Sequence, residues 1–237
     1  MKISVCIPMY NESRVIAGSA KELSDYMETH FEDYELIFCS DGSSDGCDRI
    51  VEDLKLPNTR VISYQPNQGK GYAVRTAMQA ATGDIRMFTD ADLAYGTQVI
   101  SRVYQRFEEN PDAHMVIGSR NLDKDGYEGY TILRKLMSKV YIKVLCIAGG
   151  FKLSDSQCGC KAFRSDAAEK IFPRCEVNRF AFDFEAILWG IKMNMKIVEM
   201  PVKVINHGES KVNVIKDTLR MLKDMRHMKK RIKNTKL

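Results

Sequence analysis

Four short apolar runs alternate with helical patterns through the first ninety residues, and that alternation limits the possible folds more than any other feature of the chain. Ile3–Ile7 is rich in Val and Ile and stops at Pro8, and Tyr34–Cys39, Arg60–Tyr64 and Asp84–Thr89 are runs of similar length. Between them, Ser13–His30 places Val15, Ile16, Leu23 and Met27 at helical spacing, with Asn11 or Ser13 as the expected cap. Asp48–Lys55 predicts a shorter helix, and Gly71–Ala81 one rich in Ala and Met. Strand and helix repeated in this way predict βαβ units. The fold class is α/β, a Rossmann-like, mostly parallel central sheet flanked by helices, with ligand sites at the carboxyl ends of the strands.

Beyond residue 90 the pattern predicts a helix near Val99–Glu109, a strand at His114–Gly118, a helix at Phe182–Trp189 and a strand at Ile197–Val204. Thr131–Ala148 puts Ile132, Leu136, Val140 and Val144 on one face and Arg134, Lys135, Lys139 and Lys143 elsewhere, a basic amphipathic helix. Val214–Ile232 carries an apolar stripe at Ile215, Leu219, Leu222, Met225, Met228 and Ile232. No linker divides the chain, so residues 1–213 are expected to form a catalytic domain and 214–237 its basic amphipathic last helix.

Composition excludes several classes. With 237 residues and 44% hydrophobic content, one domain can bury an ample core, and the absence of a biased repeat argues against disorder or a solenoid. Seven cysteines, an odd number without CxxC spacing, suit free thiols in a reducing compartment. The net charge of +5 belongs to the tail: nine Lys or Arg against two Asp from Val214 onward give +7 there and leave −2 for the rest. Cations confined to one terminal helix without interleaved aromatics do not suit nucleic acid. The N-terminus lacks a signal-peptide core, and no window approaches the roughly 20 apolar residues of a membrane span. A cytoplasmic protein is expected, with any membrane contact peripheral and on the cytoplasmic face.

Chemistry concentrates at strand ends. Asp90-Ala91-Asp92 closes the fourth run, and two carboxylates there can hold one hard cation, Mg²⁺ or Mn²⁺, whose remaining ligands would be diphosphate oxygens. The first strand ends in Pro8-Met9-Tyr10-Asn11-Glu12 and the second in Asp41-Gly42-Ser43-Ser44-Asp45, at the same edge of the sheet. A carboxylate for base or ribose, a glycine for close approach and a metal pair on one edge make a nucleotide site.

These openings, with Asn67-Gln68-Gly69-Lys70-Gly71, resemble the family 2 glycosyltransferases of GT-A fold. Gly118-Ser119-Arg120, Asp155 through Phe163 and Arg179 through Glu185 narrow the resemblance to polyprenyl-phosphate sugar transferases, nearest the dolichyl-phosphate β-glucosyltransferase branch. The resemblance implies that Pro8, Tyr10, Asn11, Glu12, Asp41, Gly42, Ser43, Lys70, Asp90 and Ala91 bind a nucleotide-diphosphate sugar, with Asp90 and Asp92 carrying the metal. A lipid monophosphate would attack the anomeric carbon in line and invert it. Since a phosphate is already ionised, no strong base is required, and cations must gather it. Arg120, Arg134, Lys161, Arg164 and Lys211 are the candidates, and Asp92, Asp183, Arg120 and Lys161 the catalytic set, Asp183 as a possible base or orienter. Many relatives carry transmembrane helices after the catalytic domain, whereas this chain shows a basic helix that either lies on a membrane or packs its stripe on the core.

The leading expectation is transfer of glucose from UDP-glucose to a polyprenyl or dolichyl phosphate. GDP-mannose as donor and a glycan hydroxyl as acceptor are the alternatives, and a nucleotide-sugar binding module without turnover stands behind them.

Overall fold

A computed structural model describes residues 1–130, 132–179, 181–205, 225 and 227–236; the side chains of Leu133, Arg134, Met137 and Ala148 also lie outside the description. Seven strands form one sheet: β1 (Ile3–Met9), β2 (Tyr34–Asp41), β3 (Thr59–Tyr64), β4 (Ile85–Phe88), β5 (Met115–Ser119), β6 (Lys161–Arg164) and β7 (Ile197–Pro201). Their order is β3-β2-β1-β4-β6-β5-β7. Neighbours from β3 to β4 are parallel, β6 runs antiparallel to both β4 and β5, and β7 is parallel to β5. The expected strands are all present, and β6 is the addition. It is four residues long and begins with a lysine, so its alternation is too brief to read as a strand.

Successive side chains of a strand point to opposite faces, and both faces here are covered. On one face Val5, Ile7, Leu36 and Phe38 pack with α1 (Ile16–His30), α2 (Cys47–Asp53) and α4 (Gln98–Glu109). On the other, Cys6, Ile37, Cys39 and Phe88 pack with α3 (Lys70–Ala80), α6 (Ser165–Ile171) and α7 (Phe182–Lys192). All seven cysteines are buried and free, small apolar groups of the core as expected.

Two helices remain. The apolar residues of the C-terminal segment turn inward where it is described: Met225, Met228 and Ile232 join the core beside α7. Arg231 pairs with Glu185 and Glu176, and Lys192 donates to the backbone oxygen of Thr235 at 2.5 Å. Residues 214–224, the start of the expected helix, lie outside the description. The expected Thr131 helix is α5 (Ile132–Gly149), and its apolar stripe faces solvent: Ile132 is 89% exposed, Leu136 58%, Val140 55%, Val144 43% and Ile147 71%. Its buried side is supplied instead by Ile142, Leu145 and Cys146. Among the described residues no helix is long and apolar enough to cross a membrane.

Candidate active site

The carboxyl ends of β1, β2 and β4 meet at one edge of the sheet, and the reversed β6 brings its first residue to the same edge, with Lys161 opposite Phe88. Tyr10 to Glu12, Gly42 and Ser43, and Asp90 to Asp92 are collected there by topology, on the loops that leave β1, β2 and β4.

The loops after β1 and β2 are latched to each other. Asn11 sits at φ +53, its backbone N–H donates to Ser43 Oγ at 3.1 Å, and its Oδ1 accepts from the Ser44 N–H at 2.9 Å. Asp45 accepts from the N–H groups of Ser13 (2.8 Å) and Cys47 (3.1 Å), and these bonds hold its carboxyl below the usual range against the opposing effect of burial. The expected cap at Asn11 or Ser13 is therefore corrected. The helix starts from Val15 with no side-chain cap, because both polar residues serve the neighbouring loop. Tyr10 is exposed and Glu12 partly so, whereas Pro8 is buried within β1 and shapes the edge from beneath.

Asp41 differs from expectation in where its hydrogen bonds go. Its carboxylate accepts from Tyr64 Oη at 2.9 Å, Asn67 Nδ2 at 2.9 Å, the Gln68 N–H at 2.8 Å and the Gly69 N–H at 2.9 Å, and the residue is only 3% exposed. A carboxylate so occupied organises the 64–69 loop. Gly42, at φ +65, lies under Asn67, where a Cβ would collide with the Asn67 backbone.

Asp90 and Asp92 follow β4. Asp92 Oδ1 accepts from the Ala94 N–H at 3.1 Å, and Leu93 and Gly96, both at positive φ, fold the chain back beyond it. Burial first and the charge of Asp90 second raise the Asp92 carboxyl above its ordinary value. Lys70, first residue of α3, makes an ion pair with Asp90. Ala91 is buried between the two acids. Among the described residues no group of three or more His, Cys, Asp or Glu could hold a metal, so the protein offers two carboxylates and a substrate diphosphate would complete the shell. The donor set fits Mg²⁺ or Mn²⁺ on that basis.

The acceptor side needs more correction. Lys161 is 0% exposed; its Nζ donates to Asp183 Oδ1 at 3.0 Å and to the Cys158 carbonyl at 2.5 Å, leaving no surface for a phosphate. It holds Asp183, whose carboxyl burial raises while Lys161 opposes the shift. Arg164, three residues further along β6, lies opposite Ile85 at the far edge of the sheet, stacks on Phe107 and donates to its carbonyl at 3.0 Å, so it cannot reach the site. Arg120 follows β5 and grips buried Asp155 with two nitrogens. The Arg134 side chain and Lys211 lie outside the description. Residues that sequence reasoning did not single out include Tyr64, Asp155 and Gly159; Gly159 packs so closely on Asp90 that any side chain would meet its Oδ2.

Comparison with known proteins places this geometry. The sequence pattern of glycosyl transferase family 2 matches residues 4–172. A dolichyl-phosphate β-glucosyltransferase of Dictyostelium discoideum is 30% identical over 240 residues, covering 94% of this chain and 72% of that one. The Homo sapiens protein of that name is 27% identical, covering 94% and 74%, and one from Trichomonas vaginalis is 30% identical over 88% of this chain and 65% of its own length. Among solved structures, glucosyl-3-phosphoglycerate synthase of Mycobacterium tuberculosis with Mn²⁺, UDP and phosphoglyceric acid superposes with a TM-score of 0.74 at 16% identity, covering 100% of this chain and 80% of that one. At that identity the likeness shows the fold, which is GT-A. A nucleotide edge on a GT-A sheet and a family pattern spanning most of the chain lead to one assignment: the chain belongs to glycosyltransferase family 2.

Proposed function

We propose that the protein transfers a hexose, with inversion, from a nucleotide-diphosphate sugar to a polyprenyl or dolichyl phosphate, with UDP-glucose as the donor. The observation that carries this reading is the acid pair Asp90 and Asp92 at the end of β4, with Lys70 against it and the latched loops of β1 and β2 alongside. The names of the relatives support the acceptor and the sugar. A divalent cation between Asp90 and Asp92 would take the charge of the departing nucleotide diphosphate. The loops ending in Tyr10–Glu12 and Gly42–Ser43 would hold the nucleoside, on the frame that Asp41 builds, and Lys70 would meet the diphosphate. Attack by an acceptor oxygen on the anomeric carbon breaks its bond to the diphosphate, and orientation supplies most of the rate. Residues 1–213 form the catalytic domain on this reading, and 214–237 belong to the same domain.

Membrane access falls to α5. Five exposed aliphatic side chains on one stripe, with exposed Lys139 and Lys143 beside them, suit insertion among acyl chains while the ammonium groups reach anionic headgroups. Lys139, Lys143 and Lys152 also rim a groove of about 510 Å³ between α5 and residues 150–154, running to Asn121 beside Arg120.

One observation favours a hydroxyl acceptor instead. Asp183 binds its proton more tightly than an ordinary carboxyl, as a base for a hydroxyl should. Turnover of UDP-glucose and GDP-mannose with Mn²⁺ against a short-chain polyprenyl phosphate and the matching polyprenyl alcohol separates these readings. Glucosylation of the phosphate alone is expected, and transfer only to the alcohol or to neither would overturn the proposal.

A further inference from the structure

The ion pair between Lys70 and Asp90 occupies the carboxylate that the donor-site reading assigns to a metal. A protonated lysine on that oxygen opposes the arrival of a divalent cation there through like charge. Lys70 holds Asp90 Oδ1, and the other oxygen, Oδ2, rests against the backbone of Gly159. The acid keeps 27% of its side-chain surface, so a cation can reach it, and the lysine on Oδ1 is what that cation must compete with.

The surroundings of Lys70 allow it to leave. Gly69, at φ +108, and Gly71 are packed under Asn178 and Val177, where any added side chain would strike backbone oxygens. That clamps the main chain on both sides of Lys70. Its side chain, 32% exposed, is a point charge on a flexible four-carbon stem and the one mobile part of the contact.

Charge decides when it moves. Lys70 is paired with Asp90, and Lys161 with Asp183. A divalent cation arriving alone would bring two positive charges against an ammonium already seated on its ligand. A nucleotide diphosphate removes the conflict, since its oxygens offer the ammonium a new partner within reach of the same loop.

Resting on the donor-site reading above, we propose that Lys70 is the metal's stand-in on Asp90, surrendering the carboxylate only when a nucleotide diphosphate draws it away. Metal and donor therefore bind as a coupled pair, each raising the affinity of the other by the same factor. The coupling keeps bare metal out of the site and makes donor arrival the event that assembles it.

The test is titration of Mn²⁺ into the full chain, followed by the electron paramagnetic resonance signal of the free ion, with and without UDP. Lys70→Met is expected to bind Mn²⁺ alone about fivefold or more tighter than the parent, and the enhancement by UDP should shrink correspondingly. Lys70→Arg, which keeps the cation, should leave weak binding of the bare metal as it is in the parent. Lys70→Gln replaces the Met variant if that protein melts early. If the parent binds Mn²⁺ with UDP but neither neutral variant binds the bare ion more tightly, the stand-in role is wrong and the donor site stands. Failure of the folded parent to bind Mn²⁺ even with UDP would remove the donor-site reading and this inference together.

Discussion

The guanidinium of Arg120 meets the carboxylate of Asp155 in a two-pronged ion pair, Nε to Oδ2 at 2.7 Å and Nη2 to Oδ1 at 3.0 Å, with the acid entirely shielded from solvent. One residue follows β5 and the other lies on the segment leading into β6, so the pair ties two loops together. Removing one partner of such a pair strands a buried charge. Asp155→Ala should cost roughly 3–5 kcal/mol in urea unfolding, and Arg120→Lys, without the planar fork, should recover only part of the parent's stability.

Lys161 and Asp183 form a second buried pair with a readable pH signature. The Asp183 carboxyl is raised by burial and lowered by Lys161, so Lys161→Met should raise it further. A carboxyl that binds its proton more tightly folded than unfolded favours folding at low pH and loses that advantage as pH rises through its folded value. The stability lost in Lys161→Met should therefore shrink on acidification through a window above the usual carboxylate range. The acid limb of the activity profile should move to higher pH in the same variant. A pH-independent loss would mean that Lys161 acts through packing alone.

Asp92→Asn tests the donor site from the other direction. Because burial and Asp90 both disfavour the Asp92 charge, its removal should leave the melting temperature level or raise it by about 2–4 °C. Mn²⁺ binding in the presence of UDP should disappear at the same time. Stability gained where function is lost is the behaviour of a strained acid pair. Turnover near the parent level would contradict the metal assignment.

Asp41→Ala should loosen the 64–69 loop. The Gln68 and Gly69 amides that Asp41 accepts should exchange with deuterium faster in the variant, while amides in the middle of β2 keep their protection. UDP affinity should fall through the lost loop order. Unchanged exchange at Gln68 and Gly69 would show that the loop holds itself.

The alternation of strands and helices was plain in the sequence, and with it the edge at which Glu12, Asp41 and Asp90 gather. The hydrogen-bond accounting of Asp41 was not, since its partners lie 23 to 28 residues away. Lys161 and Arg164 read as cations for an acceptor phosphate because lysine and arginine are usually exposed, and only an antiparallel β6 sends one inside and the other to the far edge. In α5 the periodicity was visible but its direction was not. Ile142 and Leu145 make the opposite side apolar too, so pattern alone could not say which side faces the core. The tail's stripe left packing and membrane contact equally open, and the burial of Met225, Met228 and Ile232 decides for the core over the described part.

The reversed direction of β6 has a consequence for how the two halves of the reaction are spaced. Phe88, which precedes the acid pair by two residues, is hydrogen-bond neighbour to Lys161, which positions Asp183. The acid pair after β4 and the Lys161–Asp183 pair are thus spaced from a single rung of one ladder, not across a hinge. A one-residue slip of β6 against β4 and β5 would turn Lys161 to the opposite face of the sheet and leave Asp183 without its counter-charge.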